Sequence, residues 1–147
     1  GLFGSQFYSE NPIFKLEKTI TNLNIDMIGR KDTIQEDNNY IYLIGSDRIS
    51  KDLHKINEQV NEKYINFRLD YTYNAIDDPN QFYYRSDHYN FAKNNIPVIF
   101  YFGGLHEDYH KPTDEVDKID FKKLEITSQY IFLTAWELAY RKKTIKN

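Results

Sequence analysis

No cysteine occurs among the 147 residues. That excludes disulfide staples, thiol nucleophiles and zinc sites built on thiolates, and it leaves the cellular compartment open. Any metal must be held by His, Asp, Glu or backbone oxygen. Glycine and proline are scarce, at 6 and 4 residues. No linker, repeat or low-complexity tract divides the chain. Gly103-Gly104 is too little for a phosphate loop. The longest apolar run, Ile96 to Phe102, falls far short of a membrane span. The net charge of -3 gives no general attraction to nucleic acid or to an anionic membrane. Lysine and arginine are scattered, with no basic face interleaved with aromatics. Gly1-Leu2-Phe3-Gly4-Ser5 is neither the basic nor the apolar part of a signal peptide. The expectation is that the sequence continues a longer protein and that any targeting signal lies upstream.

What is present suits one folded domain. Hydrophobic residues make up 40% of the chain and charged residues 28%. Aromatics reach 16%, from 13 Tyr, 10 Phe and one Trp. Residues 3 to 9 read as the end of a helix, broken at Asn11-Pro12. Strands are predicted over Lys18 to Asp26, Asn39 to Gly45, Asn66 to Tyr73 and Ile96 to Phe102. The last is nearly all apolar, as in a strand buried on both faces. Helices are predicted over Ser50 to Tyr64, Ser86 to Asn95 and Asp120 to Arg141. The last helix carries a stripe of Phe121, Leu124, Ile131, Ala135 and Leu138. Alternating strands and helices give an α/β layered domain. Ligands of such sheets sit beyond the carboxyl ends of the strands, where Asp26 and the loop after Phe102 both fall.

Three clusters could carry chemistry. Asp26 directly follows an apolar strand and precedes Gly29, which suits either a carboxylate poised at the sheet's active edge or a helix-cap or turn acid. His110 lies in Glu107-Asp108-Tyr109-His110-Lys111-Pro112-Thr113-Asp114. It reads as a zinc ligand with Asp114 orienting it, or as part of a charged surface loop. In Arg85-Ser86-Asp87-His88, Arg85 could meet a substrate carboxylate, a carbonyl or a neighbouring acid. Asp87 could accept a hydrogen bond behind the site, and Ser86 or Asp87 could simply cap a helix. His54 reads as a solvated residue, and His106 as a possible lining of the site mouth. The Tyr40-Tyr42 and Tyr83-Tyr84 pairs read as packing aromatics.

Taken in order, Asn24-Ile25-Asp26-Met27-Ile28-Gly29, Arg85-Ser86-Asp87-His88 with Phe91, Ile96-Pro97-Val98 and Tyr109-His110-Lys111-Pro112-Thr113-Asp114 resemble the C-terminal half of the M28 family of zinc aminopeptidases. The resemblance runs from Gly1 to about Arg141. It implies a three-layer zinc-peptidase fold with a mixed, mainly parallel sheet, of which residues 1–147 are the C-terminal part of a single domain. It implies two zinc ions in the complete protein, with Asp26 on one and His110 on the other. Tyr109 matches the phenol that steadies the tetrahedral oxyanion. Arg85 and Asp87 match positions bordering the substrate pocket. The implied substrate is a peptide that loses its N-terminal residue. The implied location is secreted, periplasmic or cell-envelope.

The resemblance is incomplete. The family's His-x-Asp pair and its Glu-Glu pair, which supply the bridging aspartate, the general base and further ligands, have no counterpart in this sequence. A catalytic zinc takes about three protein ligands plus water. The chain by itself is therefore expected to be inactive and to bind zinc weakly, with a missing N-terminal half or a partner chain completing the fold. Two alternatives stand beside this reading. One is a glutaminyl cyclase-like zinc enzyme using Asp87 and His110. The other is a non-catalytic binding module on the same fold.

Overall fold

In the computed structural model, which describes residues 2–146, four strands form one sheet in the order β1-β4-β2-β3. The strands are β1 (Asn22–Asp26), β2 (Tyr40–Ile44), β3 (Arg68–Asp70) and β4 (Val98–Phe102). β1 runs parallel to β4 and β3 parallel to β2, while β2 and β4 are antiparallel. The sheet is therefore mixed and mainly parallel, as expected.

β2 and β4 are buried along their whole length because both faces are covered. Their alternate side chains divide into two cores. Ile41, Leu43, Ile99 and Tyr101 pack under helices α2 (Lys51–Val60) and α4 (Phe121–Tyr140). Tyr40, Tyr42, Ile44, Val98, Phe100 and Phe102 form the other core, on the side of the short helix α3 (His88–Ala92). Helix α1 (Phe3–Glu10) packs on α3, with Tyr8 and Phe91 rings 5.9 Å apart.

Several elements differ from the sequence expectation. The first strand begins only at Asn22, and Leu16–Lys18 is a short 3-10 turn. The third strand shrinks to Arg68–Asp70, because Asp70 Oδ1 accepts from the Thr72 amide and turns the chain. Phe67, Leu69 and Tyr71 do share the α2/α4 side, as their alternation requires. Helix α2 is capped by Ser50, whose hydroxyl accepts from Leu53 N, and passes into a π-helical turn, Asn61–Ile65. Left-handed Asn66 then ends it.

The apolar stripe expected on α4 is rotated. Phe121 and Ala135 are exposed, while Lys123, Thr127, Tyr130, Ile131, Thr134 and Leu138 face inward. The polar members are admitted because most have partners at depth. Asn57, fully buried on α2, accepts Tyr101 Oη at 2.6 Å and Thr134 Oγ1 at 3.2 Å on its side chain, and Tyr130 Oη at 3.0 Å on its carbonyl. Lys123 Nζ donates to the Tyr40 carbonyl at 2.9 Å and stands 3.7 Å from the centre of that ring. Burial lowers its pKa to about 8. A buried polar group with a partner loses little on leaving water.

β1 and β4 end level, with Asp26 opposite Phe102. Immediately after, Gly103 passes so close to the Asp26 loop that a Cβ there would lie 1.9 Å from the Met27 carbonyl oxygen. Gly103→Ala must push two backbones apart, at a cost of about 3 kcal/mol by the usual penalty for overpacking. Denaturant unfolding of the full-length protein checks this, and an unchanged midpoint would show that the loops separate freely.

Candidate active site

The level ends of β1 and β4 bring two loops to the same sheet edge. Asp26 stands at the first exit. The second exit leads through Gly103-Gly104 to Tyr109 and His110. Tyr40 binds the two together beneath the surface: its hydroxyl accepts from Asp32 N and donates to the Gly103 carbonyl, both at 2.6 Å. Asp32 in turn accepts from the Leu105 amide at 3.2 Å.

Asp26, Met27, Arg85, Ser86, Leu105 and Tyr109 border a cleft of about 30 Å³, floored by Phe82, Phe100 and Phe102. That is room for a water or a single ion, and far too little for a peptide. Asp26 Oδ2 accepts from Ser86 Oγ at 3.2 Å, and Ser86 Oγ accepts from Asn24 Nδ2 at 2.9 Å. Asn24 and Asp26 are two residues apart on β1, so both project to the same side. That alternation was the signal in the sequence for Ser86's partners, and it was missed.

The expected helix cap is not formed. Helix α3 begins at His88, Asp87 makes no capping hydrogen bond, and the Ser86 side chain turns to Asp26 instead. Asp87 lies outside the lining of the cleft. Arg85 does line it. Its Nη1 donates to the Asn80 carbonyl at 3.3 Å, and its guanidinium sits 5.0 Å from the Phe82 ring centre. Asp78 shapes this loop by accepting from the amides of Asn80 and Phe82.

His110 is exposed and its ring stacks on Tyr109, with centres 3.9 Å apart. Asp114 does not orient it. Asp114 Oδ1 accepts from Arg30 Nη1 at 2.8 Å, and Oδ2 lies 4.0 Å from His106 Nε2. His106 therefore packs beside Asp114, with its side chain 7% exposed. His54 also departs from expectation. It is partly buried, with Nδ1 2.9 Å from Ser46 Oγ and Nε2 3.4 Å from Glu58, and it does not line the cleft.

Backbone strain gathers at the site. Met27 (φ 58°) and His110 (φ 57°) adopt left-handed conformations, as does Gln81 (φ 53°), which leads into the Arg85 segment. Such conformations cost non-glycine residues about 1–3 kcal/mol each and cluster where function over-determines the chain. The donors suit zinc, since a carboxylate and an imidazole are both among its usual ligands. Among the described residues, however, no three ligating side chains come together.

Comparison with known proteins agrees with this geometry. Residues 1–135 match the profile of Peptidase family M28. The chain belongs to that family. Among solved structures, it superposes on the LapA aminopeptidase of Legionella pneumophila with a TM-score of 0.71, at 22% identity over 97% of this chain and 37% of that one. BSAP, a zinc aminopeptidase from Bacillus subtilis, gives a TM-score of 0.69 at 21% identity, over 99% of this chain and 33% of that one. An aminopeptidase from Aneurinibacillus sp. strain AM-1 gives 0.69 at 19% identity, over 99% and 31%. No curated protein matches. The M28 chain thus spans about a third of the length of these structures, and at such identities they establish the shared fold.

Behind the cleft, His88 is fully buried, stacked on Phe100 with centres 4.7 Å apart. Burial lowers its pKa to about 4, against a weaker upward pull from the Tyr83 backbone. Below pH 6.5 the unfolded chain takes up a proton that the folded chain refuses until about pH 4. Stability therefore falls as pH drops through that window, by about 2 kcal/mol between pH 7 and pH 5 from this residue. In His88→Phe the loss over the same interval should be smaller by that amount. Denaturant midpoints at both pH values decide, and equal losses would show that His88 titrates normally.

Proposed function

We propose that the protein carrying this chain is a zinc-dependent aminopeptidase that removes N-terminal residues from peptides. The observation that carries the proposal is the convergence of Asp26, Tyr109 and His110 on adjoining loops at one sheet edge, in a chain of Peptidase family M28. Asp26 and His110 are the zinc ligands in this proposal, and the remaining ligands and the general base come from outside residues 1–147. Zinc bound there supplies Lewis acidity at the scissile carbonyl.

The chain's own residues do the rest. Ser86 steadies the Asp26 carboxylate through its hydroxyl. Tyr109 reaches the cleft with a phenol that donates to the oxyanion as the carbonyl becomes tetrahedral. Arg85 gives the cleft a cation for a substrate carbonyl or carboxylate. A glutaminyl cyclase using Asp87 and His110 is the alternative, and the match to Peptidase family M28 over residues 1–135 favours the peptidase.

In this proposal residues 1–147 are the C-terminal part of one peptidase domain. β1 is an edge strand among the described residues, and Ile25 on it is 51% exposed. Nearby segments expose Phe3, Phe7, Ile13 and Phe14. The rest of the peptidase domain covers this apolar edge, and the chain by itself neither turns over substrate nor holds zinc tightly. Export to the envelope or medium completes the proposal, on family resemblance.

Two experiments on the full-length protein test it. Tyr109→Phe should lower kcat on aminoacyl anilides by about 10²–10³ with little change in KM, because the donor acts only in the transition state. An effect confined to KM would reduce the phenol to a pocket wall. His110→Ala should remove much of one zinc equivalent by elemental analysis. Zinc content equal to that of the wild type would refute the ligand assignment.

A further inference from the structure

Four charged side chains behind the cleft join the two loops that build it. Arg30 Nη2 donates to Asp108 Oδ2 at 2.7 Å, and Arg30 Nη1 donates to Asp114 Oδ1 at 2.8 Å. Lys118 Nζ holds the other Asp108 oxygen at 2.8 Å. The Asp108 side chain is 7% exposed and that of Arg30 15%, so the pair between them is largely shielded from solvent. None of the four lines the cleft. Their places in the sequence give them their meaning. Arg30 follows Asp26 by four residues, Asp108 immediately precedes Tyr109, and Asp114 follows His110 by four.

We propose that Arg30 is the positioning residue of the site: one guanidinium grips both ends of the 108–114 segment and sets Tyr109 and His110 against Asp26. Only a planar fork can take two carboxylates at once in fixed directions, which is a property of arginine and not of lysine. The segment needs such a grip. His110 holds a left-handed backbone, and it is exposed, with its ring resting on Tyr109. Packing on His110 itself does little to maintain that conformation, so anchors on either side must.

This inference rests on the aminopeptidase proposal, and its test separates the two. In the full-length protein, Arg30→Lys keeps the charge and loses the fork, while Asp114→Asn removes one prong at a half-exposed position. Both should lower kcat on aminoacyl anilides about 10–100-fold with KM nearly unchanged, and should weaken zinc retention against a chelator by a similar factor. Both should speed hydrogen exchange at amides of residues 108–114 while β4 and α4 stay protected. Wild-type values of kcat and zinc retention in both variants would overturn the positioning role. Unchanged exchange would overturn the grip itself. A wild type that neither binds zinc nor cleaves anilides would sink the aminopeptidase proposal and the catalytic role together, while exchange still reports on the grip.

Discussion

The close passage of Gly103 over the Met27 carbonyl is the constraint on which the site depends. Parallel pairing brings β1 and β4 out of the sheet at the same level, Asp26 beside Phe102. Two loops leaving one edge side by side would ordinarily diverge to make room for side chains. Here the absent Cβ at Gly103 lets the backbones touch, and the Tyr40 hydroxyl binds Asp32 and Gly103 from below. The Arg30 fork closes the same pair of loops from outside. Met27 and His110 bear the resulting strain in their left-handed backbones.

The two cores explain why this edge is rigid enough to hold such a site. Every residue of β2 and β4 is buried, so the central pair is fixed from both faces. On the α2/α4 side, Asn57 lets three hydroxyls enter the core with their hydrogen bonds satisfied. On the other, His88 fills space between Tyr83 and Phe100 as a neutral ring. Hydrogen bonds of this kind at depth add directional specificity to a core that apolar packing alone leaves degenerate.

Much of this was legible in the sequence. The apolar runs marked β2 and β4, and apolar period marked α2 and α4, because burial on both faces and amphipathic spacing leave strong local signals. The position of Asp26 at a strand end, and of Tyr109 and His110 on the loop after β4, followed from the same patterns. What stayed hidden depends on distant partners. The inward face of α4 was misjudged because Lys123, Thr127 and Thr134 look like surface residues unless their buried surroundings are known. Asp114 looked like His110's partner because the two are near in sequence, but Arg30, 84 residues away from Asp114, claims it. Asp87 looked like a cap, yet helix α3 starts without one. β1 and β3 came out shorter than their apolar patterns, since edge strands have one neighbour and local turns can end them.

The central claim is that the β1 and β4 exits serve one metal site through Asp26 and His110. Anomalous scattering at the zinc edge from crystals of the full-length protein grown with zinc tests it most directly. The account predicts two zinc ions, one within about 2.0–2.2 Å of an Asp26 carboxylate oxygen and the other within about that distance of a His110 ring nitrogen, with remaining ligands from outside this chain. Zinc that contacts neither residue, or His110 turned away to solvent while a fully ligated metal sits elsewhere, would contradict it.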